Sequence, residues 1–137
     1  MRAIVLTSFD GLDALELGDQ PDPTPSDGEE LVRIRAASMG PWDLNGAHGA
    51  FAPFGGSSDF PQVQGWDFAG ETGDGRRVLG FVAQPWMGKG TFAELIALPS
   101  ALLAPLPDQL SFEEGCALPV CGLAARMLVE AAGVKEG

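Results

Sequence analysis

The sequence predicts a mainly β (α+β) fold, a partly open β-barrel with short helices at its C-terminal side. Three observations predict it. Short apolar runs alternate with clusters of Gly, Pro and Asp, the spacing of a barrel or sandwich rather than of βαβ units. Glu30–Ser38 alternates with a period of two, Val32, Ile34 and Ala36 against Arg33 and Arg35. Helix signals begin only at Ser111.

The elements follow in order. Arg2–Thr7 is an apolar run suited to a first strand, and Ala14–Leu17 to a second. Gly18–Gly28 (GDQPDPTPSDG) holds three prolines and five Gly or Asp residues, which makes it a connector. Glu30–Ser38 is the clearest strand, followed at Met39–Asp43 by a loop or a single helical turn. Asp67–Thr72 and Arg77–Val82 form a hairpin through Gly73-Asp74-Gly75. Thr91–Leu98 is a further strand, closed by Pro99. Ser111-Phe112-Glu113-Glu114 is a capping box, opening a short helix that is interrupted near Pro119. Leu123–Ala132 is a second helix, with Leu123, Met127, Leu128 and Ala131 on one face and Gly133 as its C-cap. No internal repeat is visible.

Composition excludes several functions. The 137 residues suit one domain, and an apolar content of 45% rules out disorder. Nineteen acids against eight bases give a net charge of −11, which leaves nothing to neutralise a row of phosphates, so nucleic acid is excluded as a partner. No apolar run approaches the ~20 residues that span a bilayer, so no membrane is expected. The first residues read as a strand, not a secretory signal. Two cysteines imply no framework of bridges; Cys116 and Cys121 are expected as buried thiols, in a cytoplasmic protein. With His48 the only histidine, the paired spacing of a structural zinc site is missing.

Several motifs carry a resemblance. MRAIVL, VRIRAASMGPWDLNGAHGAF, FPQVQGWDFAGE, GRRVLGF and GTFAELIALPSALLAPLPDQLSFEEGCALPVCGLAARMLVEAAGVKEG stand in one order along nearly the whole chain. They resemble the substrate domain of medium-chain dehydrogenase/reductases. In the zinc alcohol dehydrogenases of that superfamily, a metal-ligating His and a Glu follow the first Gly of GWDFAGE; here Trp66 and Asp67 stand there. The upstream ligand Cys is also missing, since Ser38–Asp43 (SMGPWD) occupies its place. The chain therefore resembles the zinc-free, quinone-oxidoreductase-like branch.

That resemblance implies a GroES-like substrate and catalytic domain over residues 1–137, with the Rossmann cofactor domain absent. No GxGxxG follows a strand, and Gly88-Lys89-Gly90 is no phosphate loop. The implied intact protein is a zinc-independent NAD(P)H-dependent oxidoreductase that reduces a quinone, enone or carbonyl compound, with NADPH the commoner partner than NADH. The chain alone is expected to bind no cofactor and to be inactive, because the pyrophosphate site is missing. The alternative is a non-catalytic binding or interaction module that keeps the barrel. A chaperonin-10-like assembly protein is disfavoured, since the chain carries dehydrogenase motifs instead of a mobile interaction loop. The apolar face of the last helix is expected to support a homo-oligomer.

The resemblance also implies site residues, although no catalytic residue is assigned. Met39, Gly40 and Ala124 fall where the cofactor would lie, and Gly40 and Ala124 lack the polar groups common there. Trp42, Asp43, His48 and Trp66 are the substrate-side candidates. Asp43 reads either as the cap of a short helix or as an acid/base. Trp66 reads as core, with its indole N–H bonded to backbone, or as pocket wall. His48 reads as a solvated loop residue or a substrate contact. Asp67 is expected to pair with Arg35 or Arg77.

Overall fold

The computed structural model describes residues 1–134. Lys135–Gly137, the end of the VKEG motif, lie outside the described residues.

Two antiparallel sheets are formed by β1 (Arg2–Leu6), β2 (Leu15–Asp19), β3 (Glu29–Ser38), β4 (Gln62–Val63), β5 (Asp67–Thr72), β6 (Arg77–Phe81), β7 (Leu95–Pro99) and β8 (Ala104–Pro105). The small sheet has the order β2-β1-β4 and the large one β7-β3-β5-β6-β8. They do not close into one cylinder. Four helices accompany them: α1 (Pro41–Ala47), α2 (Gln84–Met87), α3 (Phe112–Gly115) and α4 (Pro119–Ala131).

The β3 alternation places Val32 in the core and Arg33 and Arg35 outside. The register against β5 shifts between Ile34 and Ala36, so Arg35 sits in a bulge that bends the strand. The main core joins Val32, Phe68, Val78, Val82, Ile96 and Leu98. A second cluster, Leu6, Ala14 and Ala47, fastens α1 to the small sheet. A third, Ala69, Leu106 and Cys116, seats α3 against the opposite face of β5. The neighbours Phe68 and Ala69 thus serve opposite faces of one strand, as a period of two requires.

Several boundaries differ from expectation. β2 runs on to Asp19, because Asp19 pairs with Arg2 at the far end of β1. β7 starts only at Leu95; residues 91–94 form the crossover between the sheets instead. Ile4 N donates to Phe92 O, Phe92 N to Gln64 O, and Ile34 N to Glu94 O. The residues after β3 form a seven-residue helix, α1, with Pro41 in its first turn. Pro119 does not interrupt a helix but begins α4, where a missing N–H removes no helical bond. The Ser111 capping box is present, with Glu114 N donating to Ser111 Oγ and Ser111 N to Glu114 Oε2. Gly133 ends α4 at φ 64°, the left-handed conformation of a C-cap. Both thiols are free, but Cys121 is exposed on α4 while Cys116 is buried.

Beyond Val120 every described residue of α4 is exposed. Leu123, Met127 and Leu128 are 44%, 59% and 70% exposed, so the apolar face predicted for this helix lies uncovered.

Gly70, in GWDFAGE, is a point of close approach. A Cβ there would stand 2.3 Å from the Arg33 carbonyl oxygen on β3, a backbone atom that cannot swing aside. Gly70→Ala is therefore expected to lower stability by about 1–3 kcal/mol in urea unfolding. An unchanged midpoint would show that the β3–β5 pairing is looser than described.

Candidate functional site

The site is built where β3, α1 and the start of β5 meet. Gly40 precedes α1. Asp43, in the first turn, folds back so that its Oδ2 accepts from Gly40 N at 2.7 Å, while Asp43 N donates to Gly40 O at 3.1 Å. Asp43 is thus the helix cap of the sequence reading, and it is only 4% exposed.

Trp42 explains Gly40. A Cβ on Gly40 would lie 2.3 Å from the Trp42 ring, so the indole occupies the space that a side chain at position 40 needs. The polar group missing at residue 40 is replaced by a flat apolar surface. Trp42 lies 6.3 Å, centroid to centroid, from Trp66. Trp66 in turn meets Phe51 at 5.6 Å and Trp86 at 6.3 Å. Phe51 and Trp86 lie 5.4 Å apart. Trp86 is anchored by its Nε1, which donates to Phe54 O at 3.1 Å.

These four rings come from α1, the segment after it, the approach to β5, and α2. None belongs to the three buried clusters. Trp42, Phe51 and Trp66 are half-buried, and Trp86 is 48% exposed. Among the described residues the Trp66 indole N–H has no protein acceptor.

Asp43 and Asp67, the chain neighbours of Trp42 and Trp66, form a buried carboxyl pair. Asp67 is 2% exposed, and its Oδ1 accepts from Val120 N, the second residue of α4, at 2.7 Å. The expected pairing of Asp67 with Arg35 or Arg77 is not made. Arg35 Nη2 lies 2.6 Å from Glu71 Oε2 on the outer face, and Arg77 stacks on Phe112 and donates to Leu110 O. Asp67 faces inward and meets a helix N-terminus instead, whose free N–H groups favour an anion. Its backbone carbonyl accepts from the buried Thr91 hydroxyl at 3.0 Å.

Asp43 Oδ1, Asp67 Oδ2, Trp42 Nε1 and Gln64 Nε2 are buried without a partner among the described residues. Burial raises both carboxyl pKa values, and the Asp67 charge adds to the rise at Asp43, which reaches about 6.

The remaining candidates stand apart. His48 is exposed just past the last turn of α1, with its imidazole over Gly11. Met39 is 62% exposed beside Gly40. Ala124 is exposed on α4. The structure thus brings Gly40, Trp42, Asp43 and Trp66 together. Sequence reasoning missed Phe51 and Trp86. Their one available signal was the placement of the chain's three Trp residues, in a chain with no Tyr, on short segments that no core periodicity claims.

No protein-family model matches the chain. The mouse protein "Synaptic vesicle membrane protein VAT-1 homolog-like" is 32% identical over 148 aligned positions, covering all of this chain and 34% of that protein. The "Chloroplast envelope quinone oxidoreductase homolog" of Arabidopsis thaliana is 31% identical, over 98% of this chain and 44% of its own length. Among solved structures, the quinone oxidoreductase from Coxiella burnetii superposes with a TM-score of 0.88 at 28% identity, over 100% of this chain and 46% of its own. The quinone oxidoreductase from Thermus thermophilus, solved also as its complex with NADPH, gives 0.85 at 34% identity, over 100% of this chain and 43% of its own. The chain spans about a third of the length of the curated relatives first matched, 34% of the mouse protein. The two open sheets with their short helices are the GroES-like fold of alcohol dehydrogenase N-terminal domains. The chain belongs to the medium-chain dehydrogenase/reductase superfamily. No helix of the described residues is long and apolar enough to cross a membrane.

The carboxyl pair predicts a pH dependence. Asp43 and Asp67 have folded pKa values above those of the unfolded chain, so protonation favours the folded state. The Asp43 contribution is fully present below about pH 4 and is lost as the pH rises through about 6. Asp43→Asn keeps an acceptor for Gly40 N and removes the buried charge. Its stability relative to the native protein should rise by about 2–3 kcal/mol between acid and neutral pH, measured by urea unfolding. A difference that stays flat across this window would show that Asp43 is solvated.

Proposed function

We propose that this chain forms the substrate-side domain of a zinc-independent, NAD(P)H-dependent oxidoreductase that reduces a quinone, enone or related carbonyl compound. The observation that carries the reading is the aromatic surface of Trp42, Phe51, Trp66 and Trp86, half-exposed and outside every core cluster. A flat apolar surface of this kind orients a planar electrophile and sheds water from it.

Zinc independence rests on donor chemistry. Trp66 stands where zinc-type members carry a ligand His. Among the described residues no three His, Cys, Asp or Glu side chains group to hold a metal ion.

The fit to a nicotinamide dinucleotide is divided. The ring end suits this domain, with Met39, Gly40 and Ala124 as its proposed contacts. The phosphate end does not, because residues 36–75 contain no Lys or Arg and the described residues offer no Gly-rich turn leading into a helix. The nicotinamide supplies hydride chemistry when bound. The residues of this chain position the acceptor. NADPH rather than NADH is part of the proposal, as is a cytoplasmic location.

The test is oxidation of NADPH by the complete gene product with a quinone, an enone and an aldehyde, with zinc measured on the same sample. Hydride transfer without stoichiometric zinc is expected. Turnover only with bound zinc would overturn the metal reading, and no transfer to any of the three would overturn the oxidoreductase reading.

A further inference from the structure

We infer that Trp66 and Trp86 form an aromatic corner that selects uncharged, flat aromatic ligands over aliphatic or anionic ones, with Trp86 the specificity-determining residue. This rests on the reading of the ring cluster as the substrate side of the domain, and it narrows quinone, enone and carbonyl compounds to the aromatic ones.

The Trp66 and Trp86 rings stand at 88° with centroids 6.3 Å apart. A flat ligand stacked on one indole therefore turns its edge toward the other. Aromatic C–H edges are positive and indole faces negative, so such a ligand gains a stacked and an edge-to-face contact together. An aliphatic ring of equal size buries similar area but gains neither. Phe51 meets both indoles, at 5.6 Å and 5.4 Å, and so holds the two rings relative to each other. The bond from Trp86 Nε1 to Phe54 O fixes the orientation of the outer ring. Trp86 is 48% exposed, so its surface is free for a ligand.

Charge acts in the same direction. Residues 36–75 carry five acids and no Lys or Arg; Glu71 and Asp74 are paired with Arg35 and Arg76, which leaves Asp43, Asp59 and Asp67. Lys89, the basic residue nearest Trp86 in sequence, is committed to Glu29 and to Ala97 O. An anionic ligand at the corner would meet the buried carboxyl pair with no counter-charge.

The chain supplies its own reporter, because its three Trp residues all belong to this cluster. The experiment titrates the ¹⁵N-labelled chain, with no nicotinamide cofactor present, with three probes, 1-naphthamide, 1-naphthoate and 1-decalone, and follows the indole N–H resonances. The naphthamide should shift the Trp66 and Trp86 signals and bind roughly tenfold more tightly than either of the others, the scale of one aromatic stack. Trp86→Leu keeps apolar bulk and removes the ring face; it should abolish that preference, while Trp86→Phe restores most of it. Strand amide shifts report whether each variant is folded, and the three-probe comparison on the native chain decides the matter if one is not. Equal affinities for naphthamide and decalone, equal affinities for naphthamide and naphthoate, or an undiminished preference in folded Trp86→Leu would each overturn the inference. No nicotinamide cofactor is present in the titration, so no probe is reduced during it. A gene product that shows the preference but reduces nothing would therefore refute the proposed function and leave the corner standing.

Discussion

The bond from Val120 N to the buried Asp67 carboxylate is the contact on which the site depends. It joins residues 53 positions apart, the first strand residue of β5 and the first turn of α4. Past Val120, α4 has no buried described residue, so its ties to the barrel lie at its start: this bond, the buried Pro119, the half-buried Val120 and Leu123 beside Leu79 and Phe81 of β6. The same residue accepts the Thr91 hydroxyl through its carbonyl, which ties in the crossover between the sheets. Its neighbour Trp66 forms the centre of the aromatic cluster. One side of residue 67 thus meets the start of a helix, and residue 66 stands at the centre of the aromatic cluster. A change at either is felt at the other through one peptide unit.

Burying Asp67 is costly, and its effect reaches Asp43. The two buried carboxyls have an unpartnered oxygen each, and repulsion between them adds to the desolvation of Asp43. A chain selected only for stability would place hydrophobic residues there. The presence of the two carboxyls next in sequence to two rings of a half-exposed aromatic surface fits a functional site, where perturbed carboxyls are concentrated. Gly40 and Trp42 belong to the same arrangement. The indole lies on the bare Cα of residue 40, so the apolar surface is gained by giving up a side chain next to it.

What the sequence disclosed was local. The β3 alternation, the Gly73-Asp74-Gly75 hairpin, the Ser111 capping box and the Gly133 cap each lie within a few residues of one another, and each stands in the structure. The misread features depend on contacts far apart in sequence. The β2 end is set by Arg2, and residues 91–94 are claimed by both sheets. The sequence offers Arg35 and Arg77 as partners for Asp67, whereas its partner is a helix start that only the folded chain brings near. Trp42 and Trp66 were candidates from the motifs that contain them. Phe51 and Trp86 sit in Gly- and Pro-rich segments without periodicity, and only the tertiary fold shows that they complete the surface.

The most direct measurement is native-state hydrogen exchange at the Val120 amide, compared between the native chain and Asp67→Ala. Removal of the carboxylate should collapse the protection of Val120 and shift the Trp66 indole resonance, while β3 and β6 amides stay protected relative to global unfolding. Asp67→Asn, which keeps an acceptor but not the charge, should fall between. If Val120 stays as protected in Asp67→Ala as in the native chain, α4 is held by something else, and Asp67 does not join the helix to the aromatic surface.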